Sequence, residues 1–133
     1  MGNWREETAS DLARAEEGLE GLVPEIRGEP TEEQERDIWL SYLRVEKSIA
    51  FIKVDTREEN PGRFIKVRAY SVPDERQALQ FALRNLKKGS ASFRVGDFKQ
   101  ALRELRESRN YLRALLRELA LRKERVRRAR PGA

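Results

Sequence analysis

The feature that most constrains the fold is an apolar-rich run from Ile38 to Val54, IWLSYLRVEKSIAFIKV. Its main hydrophobic positions recur at the period of one face of an α-helix: Ile38, Tyr42, Val45, Ile49 and Ile52. Charged residues interrupt the run, so it is not a membrane span. Because Leu43, Ala50 and Phe51 widen this face, we expect the other segments to pack around this helix on more than one side.

Signals at both ends mark the limits of this helix. Thr31 is a good N-cap residue, and Gln34 completes the pattern of a capping box. The tripeptide Asn60-Pro61-Gly62 breaks helices, so the helix is predicted to end by about residue 58. Phe-Ile-Lys-Val occurs at 51–54 and again at 64–67. A β-hairpin formed by these two copies is therefore the alternative to a helix followed by a long ordered loop.

Three other segments carry helical periodicity. The first helix is predicted from Trp4 to about Val23, the third starts at Pro73-Asp74-Glu75, and the fourth runs from Phe98 to about Val126. The fourth has the clearest alternation of three and four residues: Phe98, Ala101, Leu105, Ser108, Leu112, Leu115 and Leu119. In the third helix, Gly89 and Ser90 interrupt the apolar stripe and predict a weak point.

The junction between the last two helices is short. Gly96 suits a left-handed helix end, and Asp97 suits the next N-cap, so these helices should be antiparallel neighbours. The sequence thus predicts an all-α fold, an antiparallel four-helix bundle over residues 1–121, with a long loop between helices 2 and 3. Residues 122–133 are predicted to form a basic helix end and tail.

Composition argues against an enzyme. The chain has no Cys and no His, which excludes disulfides, thiolate chemistry and the commonest general base and metal ligand. Neither a glycine-rich phosphate loop nor a carboxylate pair on one helix face is present. We therefore expect no catalytic residues, no metal and no cofactor. Acidic residues near the N-terminus argue against a targeting peptide, so a cytoplasmic protein is expected, and the high charge resembles thermophile compositions.

Charge is distributed unevenly along the chain. Residues 1–60 hold 8 Lys/Arg against 16 Asp/Glu, a net charge of −8, and residues 61–133 hold 20 against 7, a net charge of +13. The two halves could attract each other within one bundle or across a dimer, or the basic half could bind a polyanion.

Two basic groups are candidate nucleic-acid contacts. Six of the nine residues from 122 to 130 are basic: Arg122, Lys123, Arg125, Arg127, Arg128 and Arg130. They either complement the dipole at a solvated helix end or contact phosphates. The second group lies in the predicted loop, where Phe64 and Tyr70 alternate with basic residues: Arg63, Lys66 and Arg68. Charge and stacking there would suit a single strand, and the alternative is a charged loop packed on the bundle.

The placed helices resemble those of the HEPN superfamily of small helical bundles from prokaryotic defence and toxin–antitoxin systems. The matching positions are Trp4, Asp11-Leu12 and Ala15 in the first helix, Val45-Glu46-Lys47-Ser48-Ile49-Ala50 in the second, and Ala101 and Tyr111-Leu112 in the fourth. Catalytic members of that family use an Arg followed by a His, and this chain has no His. The resemblance therefore implies dimerisation, partner binding and nucleic-acid contact rather than ribonuclease activity.

These observations lead to two functional hypotheses. The first is a non-enzymatic helical interaction module, HEPN-like and forming a homodimer or binding a protein partner. The alternative is an accessory nucleic-acid-binding protein that uses its basic C-terminal half. A divergent ribonuclease without His ranks last, and no interaction with a membrane is expected.

Overall fold

The chain folds as a bundle of four α-helices. The computed structural model describes residues 3–56 and 74–129. The helices are α1 (Trp4–Leu22), α2 (Glu32–Thr56), α3 (Glu75–Arg94) and α4 (Phe98–Ala129). No strand occurs in these two ranges, which confirms the predicted all-α class. Among the described helices, none is long and apolar enough to cross a membrane.

Each helix packs against two others, in the order α1, α2, α4, α3 around the bundle. Neighbouring helices run in opposite directions. The ring of Trp4, at the start of α1, meets Phe93 near the end of α3 at a centroid distance of 6.0 Å. At the other end, Arg76 near the start of α3 donates to the carbonyl oxygen of Ile26, just beyond α1. The bundle is therefore antiparallel, as predicted.

This arrangement corrects the expectation that α2 lies at the centre. The helix packs on α1 and α4, whereas α3 lies diagonally across from it and makes its most extensive contact with α4. Two residues expected to widen the buried face of α2, Leu43 and Ala50, are exposed. The prediction overestimated burial because apolar character alone does not distinguish a core face from an apolar outer face.

The predicted start of α2 is confirmed, and its end is close to the predicted one. The Gln34 amide donates to Thr31 Oγ1 at 3.1 Å, and the Thr31 amide donates to Gln34 Oε1 at 2.9 Å, which is a complete capping box. The helix ends at Thr56. Residues 51–54 are helical, so a hairpin using the first Phe-Ile-Lys-Val copy is wrong. The second copy and the predicted loop lie outside the described residues.

The helix α3 begins at Glu75, two residues later than predicted, and the junction to α4 follows the predicted signals. Asp74 is the N-cap of α3 and accepts from the Gln77 amide at 2.8 Å; Pro73 lies outside the described residues. Gly96 has a φ of 81°, the left-handed conformation that glycine adopts without strain. Asp97 then accepts from the Gln100 amide at 3.2 Å and caps α4.

The core of the bundle contains the predicted heptad positions of α4. All of them are buried except Phe98, which packs partly exposed against Phe93 and Trp4. Ser108 is fully buried, and its hydroxyl donates to the Ala82 carbonyl oxygen at 2.7 Å. This hydrogen bond explains how a polar residue is accommodated in the apolar stripe, since buried hydroxyl groups need a partner.

Gly89 is a point of close contact rather than the predicted weak point. The helix α3 is continuous through it. A Cβ atom added there would lie 2.7 Å from Leu105 Cδ2 and 3.3 Å from the Leu105 backbone nitrogen. Glycine therefore allows α3 and α4 to approach more closely than any other residue would allow at this position.

Candidate binding surfaces

The first two cations of the predicted C-terminal cluster are ion-paired within the protein. Arg122 forms a salt bridge with Glu75 at the start of α3, and its Nε lies 3.3 Å from Glu118 Oε1. Lys123 Nζ lies 2.6 Å from Glu35 Oε2 near the start of α2. The hydrogen bond that Arg122 donates to Glu75 raises the pKa of Arg122, and the one that Lys123 donates to Glu35 raises the pKa of Lys123. These two side chains connect the last turns of α4 to α3 and α2.

The rest of the predicted cluster is more open. Arg128 pairs with Glu124 one turn earlier, at 3.0 Å. Arg125 and Arg127 are exposed and form no salt bridge with another described residue. Four predicted nucleic-acid contacts lie outside the described residues: Arg130, Arg63, Lys66 and Arg68. Nucleic-acid binding by this cluster and by the loop stays a prediction.

A second basic surface lies on the outer side of α4, and the sequence analysis missed it. We call it the cationic face; its members are Lys99, Arg103, Arg106, Arg113 and Arg117. Steps of four, three, seven and four residues keep these side chains on one side of the helix, away from α2 and α3. Arg106 is partly exposed and the other four are exposed. The sequence signal for this surface is a second heptad pattern, in which cations recur on the side of α4 opposite its apolar heptad.

The outer side of α2 is apolar. We call this surface the apolar face, and it consists of Trp39, Leu40, Leu43, Ala50 and Val54. Trp39 is 45% exposed, Leu43 54% and Val54 78%. The steps of four, seven and four residues from Trp39 through Leu43 and Ala50 to Val54 place these four side chains within about 60° of one another around the helix, and Leu40 lies about 40° beyond Val54. Exposed apolar side chains are ordinary singly, whereas a contiguous set marks an interaction site.

The Glu46-Lys47 pair, on which the HEPN resemblance depends, connects three helices. Lys47 Nζ lies 2.8 Å from Glu7 Oε1 and 3.1 Å from Asp11 Oδ2, both on α1. On the other side, Glu46 Oε1 lies 3.2 Å from Arg109 Nη1 on α4. Hydrogen bonds to Glu7 and Asp11 raise the pKa of Lys47. The pair therefore lies between α1 and α4, at the two edges of the apolar face.

The clefts lined by described residues are open to solvent. One of them lies between the α1–α2 connection and the start of α3, lined by Ile26, Arg27, Gly28, Asp74, Glu75 and Arg76. Within residues 3–56 and 74–129, no group of acidic side chains could hold a metal ion.

Comparison with known proteins gives no match to a family model, a curated protein or a solved structure. The candidate binding sites are therefore the two outer surfaces, the apolar face of α2 and the cationic face of α4.

Proposed function

We propose that this protein is a non-enzymatic helical interaction module, HEPN-like in arrangement, that forms a two-fold homodimer through the apolar face of α2. The observation that carries the proposal is the exposure of Trp39, Leu43 and Val54 on one side of that helix. Burying a large apolar side chain contributes about 1.5 to 3 kcal/mol, and a side chain that stays in water does not gain this free energy. A partner surface that covers these side chains would recover part of it.

The arrangement of the apolar face suits a second copy of the same chain. A two-fold interface uses one patch twice, so the patch must be compatible with itself. The steps of four, seven and four residues keep Trp39, Leu43, Ala50 and Val54 on one side of a single helix, so the same side of a second copy could pack against it. A half-exposed Trp39 supplies the kind of aromatic anchor that contributes strongly to interfaces.

Charge at the edges of the face also favours this occupant over a polyanion. Lys47, the cation nearest its centre, is already paired with Glu7 and Asp11. Glu46, at the other edge, is paired with Arg109. These two charged residues beside the centre of the face are therefore neutralised within one chain, and they oppose self-association less than unpaired charges would.

A single charge introduced at the centre of the face tests the proposal. We expect the intact protein to sediment as a dimer at high micromolar concentration and the Leu43→Glu variant to sediment as a monomer. Burying a carboxylate in an apolar interface is strongly unfavourable because it loses hydration without gaining a partner. Circular dichroism should show the same helix content for both proteins, since Leu43 lies outside the core.

The matched control is Leu121→Glu. Leu121 is 42% exposed on the outer side of α4, so the same substitution is made in a similar environment away from the apolar face. This variant should remain dimeric. A monomeric intact protein, or an equal loss of dimer in both variants, would refute the proposed interface.

A further inference from the structure

The cationic face of α4 carries charge that the fold does not neutralise. Between residues 99 and 117 the chain has six Lys/Arg and two Glu, a net charge of +4. The cations that form no salt bridge with another described residue are Lys99, Arg103, Arg106 and Arg117. Arg113 reaches Glu46 only at 4.0 Å. Exposed unpaired cations in a line repel one another, so their arrangement favours an anionic ligand.

Some other cations of the bundle are neutralised within the fold. Several form salt bridges between helices at 3.1 Å or less, among them Lys47 to Glu7 and Asp11, Lys87 to Glu20, and Lys123 to Glu35. Two of these pairs, Lys87 with Glu20 and Lys123 with Glu35, join the acidic half of the sequence to its basic half. The cationic face, in contrast, does not pair with an acidic surface in the described part of the same chain.

The dimensions of the cationic face match a nucleic-acid duplex. From Lys99 to Arg117 the helix rises about 27 Å, at about 1.5 Å per residue. A duplex carries a phosphate charge about every 1.7 Å along its axis, and its major groove, about 12 Å wide, admits one α-helix. A straight helix with cations along its outer side can therefore reach several phosphates at once. Four of the five cations are arginines, which bind phosphate oxygens with two parallel hydrogen bonds.

The composition of the face favours a duplex over a single strand and argues against base reading. Binding of single strands relies on aromatic side chains that stack on bases. None of the five members of the face is aromatic. The amide between them, Asn110, already accepts hydrogen bonds from Arg109 Nε and Nη2, both at 3.3 Å. Its oxygen is therefore engaged within the protein rather than presented to a base.

We propose that the outer side of α4, from Lys99 to Arg117, is a sequence-independent binding site for the phosphate backbone of duplex nucleic acid. This site is separate from the apolar face and does not depend on the homodimer. It also differs from the C-terminal cluster, because Arg122 and Lys123 are held in salt bridges between helices.

The test uses the full chain and a labelled DNA duplex of about 20 base pairs, with binding followed by fluorescence anisotropy at several salt concentrations. With about five phosphate contacts, log K should fall with log salt at a slope of about −4.5, or about −0.9 per contact. The triple variant Arg103→Gln/Arg106→Gln/Arg117→Gln should bind about tenfold or more weakly at about 50 mM salt, with a slope of about −1.8.

Two other triple variants serve as controls with the same change in net charge. Arg14→Gln/Lys88→Gln/Arg94→Gln removes exposed cations from α1 and α3 and should change the affinity by less than about threefold. Arg125→Gln/Arg127→Gln/Arg128→Gln removes cations from the C-terminal cluster and should leave most of the salt slope in place. All three variants should unfold at the same urea concentration as the intact protein.

Several results would overturn the proposal. The first is no binding of the duplex by the intact protein at about 50 mM salt, where phosphate contacts are strong. Equal losses in the α1/α3 control and the α4 triple variant would indicate unspecific attraction. A loss confined to the C-terminal triple variant would place the site beyond Leu121. Tighter binding of a single strand of the same sequence, or equal competition by polyglutamate, would show that the face does not recognise a duplex backbone.

An RNA duplex of the same sequence tests whether the 2′-hydroxyl matters, and equal binding is expected.

Discussion

Gly89 shows how one missing side chain determines the distance between two helices. An added Cβ would lie 2.8 Å from Leu105 Cγ as well as 3.3 Å from the Leu105 backbone nitrogen, so a change of the leucine rotamer alone would not make room for it. Alanine improves helix propensity by about 1 kcal/mol, whereas overpacking a core costs about 1 to 3 kcal/mol. The packing cost is the larger of the two. We therefore expect Gly89→Ala to lower the free energy of unfolding by about 1 kcal/mol.

The control for this prediction is Gly21→Ala. A Cβ at Gly21, in the last turn of α1, would meet nothing within 4 Å. The same substitution there gains helix propensity without a clash and should raise the free energy of unfolding by a few tenths of a kcal/mol to about 1 kcal/mol. Urea denaturation of both variants measures the two effects. Stabilisation by Gly89→Ala would show that α3 and α4 separate at little cost.

At the scale of the helices, salt bridges hold the end of α4 against its neighbours. The buried apolar stripe of α4 ends at Leu119, and Arg122 in the following turn extends to Glu75, whose side chain is only 12% exposed. A chain truncated after Leu121 leaves this carboxylate without its guanidinium. We expect the truncation to lower the free energy of unfolding by about 1 kcal/mol, since the hydrogen bond is charged but Arg122 is partly solvated.

A second truncation, after Glu124, provides the control. It removes five of the eight helical residues that the first truncation removes, but keeps the salt bridges of Arg122 with Glu75 and of Lys123 with Glu35. Its urea midpoint should match that of the intact protein. If both truncated chains lose the same stability, the last turns of α4 act through their length and not through these two side chains.

For the helices, the sequence could predict about where each one begins and ends, but not which helices lie next to α2. Local signals were sufficient for the helix limits: the Thr31–Gln34 capping box, the left-handed Gly96 and the Asp97 cap all occur where the pattern placed them. The neighbours of each helix depend on contacts between distant segments, so the sequence did not reveal that α2 lies diagonally from α3. The pairing of Arg122 with Glu75, 47 residues apart in the chain, was hidden for the same reason.

Across the whole molecule, part of the uneven charge of the sequence is neutralised within one chain. Acidic residues of the first half meet basic residues of the second half within one chain, as Glu20 meets Lys87 at 2.8 Å and Glu46 meets Arg109 at 3.2 Å. These contacts reduce the charge available for attraction between two copies. They leave an apolar face on α2 and a cationic face on α4 as the surfaces that suit a partner.

Binding at the two surfaces should therefore differ in its dependence on salt. Burial of apolar area is not screened, so raising salt from about 50 to about 500 mM should leave the dimer dissociation constant unchanged within about twofold. Over the same tenfold range, duplex affinity should fall by a factor of about 3 × 10⁴, because about five phosphate contacts exchange with cations. Sedimentation and anisotropy on the same samples measure both quantities. A dimer that dissociates as salt is raised would contradict the apolar interface, since its subunits would then be held together by attraction between the acidic and basic halves.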